Sequence, residues 1–278
     1  DDIINIQKCR TIVEDIDWDC KVYKKYQECN VGCDPSEYIS QKWMFDNEEY
    51  GIVLEDDDVP SQSFFPFCKE LLEKYKDDLR INMICGMNHE GISEHIKESY
   101  LFSKPGSIWG WASWKRVIET WDSQYKWFDD DTIYKLRNAF NNKSRFENFL
   151  KTAKKHKSSG KAHYESIYYA SSLLNNRLNI VPKYNMISNI GVGSETTHNV
   201  SDVKFLPRTI RKKINMKRYE IEFPLIHPNF VTRDIKFEKK RTRSRMVSFI
   251  GSIESVILRM FYGDFKSLKK GIKRRLKL

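Results

Sequence analysis

Tyr50-Gly51-Ile52-Val53-Leu54-Glu55-Asp56-Asp57-Asp58-Val59-Pro60-Ser61 is the stretch whose reading decides the fold. An apolar run of strand length, Ile52 to Leu54, stops in four consecutive carboxylates and then a proline. A buried strand shows this pattern when its carboxyl end opens into a site. Four adjacent carboxylates repel one another, and a hard divalent ion with oxygen ligands is the group that relieves such a cluster. A solvated acidic turn is the alternative reading, against which stand the apolar strand before it and Val59-Pro60 after it.

Working outward, residues 3–16 carry Ile3, Ile6, Cys9, Ile12 or Val13 and Ile16 at helical spacing. Residues 19–23 alternate as a short strand does, and Asn30-Val31-Gly32-Cys33 reads as a turn. Pro35-Ser36-Glu37 then opens a second helix, which delivers the chain to the Ile52 strand. Downstream, residues 64–75 form a helix with Phe64, Phe65, Phe67, Cys68, Leu71 and Leu72 inward, residues 81–85 a strand, and residues 100–102 another. Residues 141–161 read as a lysine-rich helix and loop, residues 164–174 as a helix, and residues 178–182 as a strand. Helix, strand, helix, strand in short order predicts an α/β fold with a largely parallel sheet flanked by helices.

In Gly106-Ser107-Ile108-Trp109-Gly110-Trp111-Ala112-Ser113-Trp114, three tryptophans crowd two glycines. They do not share one helical stripe, so some are expected to line a loop or cleft as a stacking platform for a sugar or base; an aromatic core is the alternative.

The chain has 278 residues, ample for a core, and 40% of them are hydrophobic. Its six cysteines contain no CxxC pair, which points to free thiols in a reducing cytoplasm rather than a zinc site or a disulfide framework. No signal peptide is expected, and no apolar run is long enough to span a bilayer. The net charge of +10 conceals a division: residues 204–278 hold 22 Lys+Arg against 6 Asp+Glu, and the first 203 residues hold 26 against 32. Such asymmetry directs the tail to an anionic surface.

With those residues in view, the chain resembles nucleotide-sugar glycosyltransferases of the GT-A type, and most of all the bacterial sugar transferases related to family 2 and to N-acetylglucosaminyltransferase I. The resemblance rests on Asn30-Val31-Gly32-Cys33, the Gly51 to Asp57 run with Pro60-Ser61, Ile108 to Trp114, Val181-Pro182 with Asn185, Ser188-Asn189-Ile190-Gly191, and Thr197-His198. These appear in the family's order. The resemblance implies a Rossmann-like sheet, with Asp57 binding Mn2+ or Mg2+ that bridges the donor diphosphate, and His198 completing the metal site. It also implies that Asn30, Glu55, Asp56, Trp109 and Trp111 contribute to the donor pocket. An inverting transferase needs a carboxylate to accept the acceptor's proton. The family's Trp-Asp aligns with Tyr164-Glu165, which makes Glu165 the candidate base, with Asp122 and residues 129–131 as rivals. The family's opening strand has no counterpart ahead of residues 3–16, and its glycine before the Val-Pro strand is Arg177 here, so that helix end is expected to differ.

The expected organisation is a GT-A-like domain over residues 1–238 and a basic amphipathic tail over residues 239–278. The expected partners are a nucleoside-diphosphate sugar such as a UDP-sugar, a glycan or lipid-linked acceptor, and an anionic membrane reached through the tail. This places the protein in the cytoplasm, peripheral on the inner face of the plasma membrane. A nucleotidyltransferase is the enzymatic rival, but no Gly-rich, Lys/Arg-containing phosphate loop is visible. A nucleic-acid-binding protein is the other rival; its aromatics and basic residues would interleave, whereas here they lie in opposite parts of the chain.

Overall fold

The computed structural model describes all residues except 1, 15, 141, 192–210, 243–253, 255, 259 and 263–278. Packing divides the chain into two units, residues 1–31 and 32–278. In the first unit, α1 (Asp2–Ile12) ends four residues before the expected limit, and its Ile3, Ile4, Ile6 and Ile12 are all exposed. Residues 19–23 form no strand. An extended segment without a neighbour has no ladder to join, and alternation alone does not supply one. The Arg10 guanidinium lies 4.2 Å over the Tyr26 ring within this unit.

The second unit begins with α2 (Cys33–Asn47), which buries Pro35, Gln41 and Phe45 and leads into β1 (Tyr50–Val53). After the acidic turn come β2 (Asp58–Pro60) and α3 (Phe64–Lys74). Helix α3 buries Phe64, Phe67, Cys68, Leu71 and Leu72 at helical spacing, while Phe65, expected inward, faces out. Strands β3 (Ile81–Cys85), β4 (Tyr100–Ser103) and β5 (Trp111–Trp114) follow. The helices α4 (Lys115–Ile118), α5 (Asp130–Arg137), α6 (Lys143–Ser158) and α7 (Tyr164–Leu174) lead to β6 (Leu178–Pro182) and β7 (Ile187–Asn189). Helix α8 (Ile235–Thr242) runs through the boundary expected at residue 238 and buries Phe237 beside Leu101 and Val181.

The main sheet has the order β1-β5-β3-β6-β4. It is mixed and mostly antiparallel, which corrects the expectation of a mostly parallel sheet: only β3 and β6 run parallel. The reason lies in the connections. A parallel neighbour needs a crossover, and the chain supplies helices between β5 and β6, whereas β3, β4 and β5 are joined through segments without helix. Among the described residues β1 is an edge of this sheet, paired antiparallel with β5, and residues 19–23 form none of its strands.

Trp111 explains why β5 is central to the core. It is 1% exposed and stacks between Phe45 of α2 (6.2 Å, 20°) and Tyr164 of α7 (6.4 Å, 14°). All four β5 residues are buried: Trp111 packs on α2 and α7, and Trp114 Nε1 donates to the Leu72 carbonyl of α3 at 3.0 Å. At the end of α7 the left-handed position falls on Asn176 (φ 52°). The next residue, Arg177, is buried and donates from its guanidinium to Thr120 Oγ1 at 2.8 Å.

Candidate functional site

The acidic turn, residues 54–57, lies between β1 and β2. Strand β2 leaves the main sheet and pairs antiparallel with β7, with Asp58 opposite Asn189 and Pro60 opposite Ile187. This two-stranded ribbon brings residues 189–191 against carboxylates more than a hundred residues away in sequence. Asn189 Nδ2 donates to Asp57 Oδ1 at 2.7 Å and to Asp58 Oδ1 at 3.4 Å, and the Ile190 N–H donates to the Asp57 carbonyl at 2.9 Å. Gly191 lets this approach happen without moving Asp57: a Cβ there would lie 1.6 Å from Asp57 Oδ2, so the carboxylate would have to turn aside.

Asp58 is the buried anchor of the turn. Its Oδ2 accepts the Gly110 N–H at 2.7 Å and the Glu55 N–H at 3.3 Å. Gly110 has φ 59°, and a Cβ on it would meet Ile187 Cδ1 at 2.4 Å, so only glycine brings this amide to the carboxylate. Burial pushes Asp58 up to about 6, opposed by the N–H groups of Glu55 and Gly110 and by Asn189. Burial pushes Glu55 further, to about 8, reinforced by the charges of Asp58, Glu37, Asp57 and Asp56. Asp57 is raised by burial and then by Asp56, against the hydrogen bond from Asn189. These carboxylates are held near one another at an energetic cost, but among the described residues no three acid, His or Cys ligand atoms of the turn lie within 4.8 Å of one another.

A cavity of about 560 Å³ has Trp109, Phe149, His156, Glu165 and Tyr169 among its walls. Among the described residues, the carboxylates of the turn do not line it. Turn and cavity are linked through consecutive residues: Trp109 faces the cavity, and Gly110 donates to Asp58.

The sequence-derived candidates therefore separate. Glu55, Asp56 and Asp57 share the turn, with Asp56 exposed. Trp109 and Glu165 share the cavity, where Glu165 is exposed. Trp111 is a core residue and not part of the pocket, a correction that follows from its stacking between two helices. Asn30 is exposed and belongs to the unit of residues 1–31, and His198 lies outside the described residues. Of the rival acids, Asp129 caps α5 by accepting the Thr132 N–H at 2.9 Å, and Asp122 accepts the Gln124 N–H at 3.0 Å. Both are thereby occupied locally.

Sequence reading missed Asp58 and Asn189 as site residues. Their signal is pairing between β2 and β7, which three-residue strands do not announce. Asn185, part of the Val-Pro motif, is fully buried; its Oδ1 accepts the Asn88 N–H at 3.0 Å and its Nδ2 donates to the Ile187 and Lys217 carbonyls. It fixes the entrance to β7. No protein-family model matches the chain, and no curated protein matches it.

Proposed function

We propose that the chain is a metal-dependent glycosyltransferase of GT-A type that moves a sugar from a nucleoside-diphosphate donor, such as a UDP-sugar, to a hydroxyl acceptor with inversion. The observation that carries this reading is the acidic turn fastened to residues 189–191, next to a cavity that holds both Trp109 and Glu165. Asp57 would hold Mn2+ or Mg2+, with Asp56 toward the ribose or sugar of the donor; His198, the other expected ligand, lies outside the described residues. When bound, the cation supplies countercharge for the leaving nucleoside diphosphate.

The rest of the chemistry belongs to the chain. Glu165 accepts the proton of the acceptor hydroxyl as its oxygen attacks the anomeric carbon; the bond from that carbon to the diphosphate oxygen breaks with its electron pair on the diphosphate. Trp109 offers a ring face to the sugar. Asn189 and Gly191 keep the Asp57 carboxylate in place. Among the described residues no helix is long and apolar enough to cross a membrane. The basic tail would lie on an anionic surface and present the domain to a lipid-linked acceptor.

Calorimetric titration of UDP with and without Mn2+ tests the reading. Binding should need the metal and be lost in Asp57→Ala, whereas Glu165→Gln should abolish transfer and leave donor affinity intact. Metal-independent UDP binding that survives Asp57→Ala would remove the proposal.

A further inference from the structure

We infer that Asp34, His156 and His163 form a second cation site, for a borderline divalent transition metal such as Zn2+ or Co2+, separate from the acidic turn and independent of the transferase reading. One potential ligand atom from each residue lies within 4.8 Å of the other two. The three come from different elements: Asp34 from the first turn of α2, His156 from the last turn of α6, and His163 from the N-cap of α7. All three are partly buried.

Asp34 Oδ2 is 2.8 Å from His163 Nδ1, and the imidazoles of His156 and His163 stack with centroids 3.8 Å apart and planes 13° apart. The Ser159 hydroxyl lies 2.9 Å from His163 Nε2, and the Ser166 hydroxyl 2.9 Å from His156 Nδ1. Hydroxyls placed this way orient imidazoles from outside, as the partners of metal-ligating histidines do.

Two imidazoles and one carboxylate are the ligand set of open zinc sites, where water or a substrate oxygen takes the remaining position. Tetrahedral binding at about 2.1 Å per ligand requires ligand atoms about 3.4 Å apart, a contraction within reach of side-chain rotation. Parallel rings direct their lone pairs side by side, so one imidazole must turn about its Cβ–Cγ bond and open the stack. His156 also lines the cavity that holds Glu165. The ion would thus sit in the cavity wall and tie α2, α6 and α7 together.

The experiment is a titration of the full, EDTA-stripped chain with Co2+, read by absorbance. One equivalent should develop visible ligand-field bands without the near-ultraviolet thiolate-to-cobalt band that the exposed cysteines would produce. The bands should persist in Asp57→Ala, and affinity should fall by more than ~100-fold in His156→Gln and in Asp34→Asn, beyond the cost of losing an outer-shell partner. These two variants alter different helices, and either one that keeps the parental melting curve in EDTA decides. If neither folds, the spectrum of Asp57→Ala decides by its ligand type. Absence of visible bands, a thiolate band alone, or bands untouched by both substitutions would overturn the inference.

Discussion

Glu55→Gln should stabilise the metal-free protein at alkaline pH and do almost nothing near pH 5. Burial and the surrounding carboxylates move Glu55 from 4.5 to about 8. The unfolded chain therefore releases this proton first, as pH passes about 4.5. The stability from keeping the proton is complete below that value and is lost as pH rises through 8. At about 1.4 kcal/mol per pH unit the gap corresponds to ~5 kcal/mol. Water reaches the open side of the turn, which reduces the effect to on the order of 2 kcal/mol. Glutamine keeps the shape without the charge. In a domain of this size that difference is about 4–8 °C in melting temperature at pH 8.5, against about 1 °C at pH 5. Thermal melts in EDTA at the two pH values measure it. Saturating Mn2+ should narrow the gap at pH 8.5, because a cation favours the charged form. A parental protein as stable as the variant at pH 8.5, or an equal gap at both pH values, would refute the reasoning.

Gly191→Ala should displace Asp57, since the new methyl meets its carboxylate at 1.6 Å; a loss of ~1–3 kcal/mol and of the Mn2+-induced melting shift is expected, both read in the same thermal assay. Trp111→Ala should cost ~3–5 kcal/mol in denaturant unfolding. Trp109→Ala, in the cavity wall but packed against the core, should cost ~1–3 kcal/mol, less than Trp111→Ala, while lowering kcat/KM. Removal of residues 246–278 should abolish recovery of the protein with anionic vesicles in a flotation assay; equal recovery of both forms would remove the membrane proposal.

Much of the framework was legible because it rests on local patterns. Strand β6 spans the residues its apolar run predicts, and α3 buries five of the six residues its spacing selects. What the sequence hid depends on partners. Residues 19–23 alternate like a strand but form none of the sheet's strands, and strand direction depends on which connections carry helices, which local pattern does not encode. Residues 111–114 show no alternation because both faces are covered, so the tryptophans there resembled a loop. At the site, the carboxylate run was visible as a run. The division of labour within it was not: Asp58 is turned inward by an amide from residue 110, and Asp57 is held by an amide from residue 189.

Trp109 and Trp111 flank a glycine that must stay a glycine, and one faces the cavity while the other faces the core. A saturation library across residues 109–111 would therefore sort under two different selections. Sorting for abundance should deplete replacements at 110 and 111 more strongly than at 109, whereas sorting for turnover should deplete all three. Under the proposed function, position 109 is where a change of specificity would cost the scaffold least of the three.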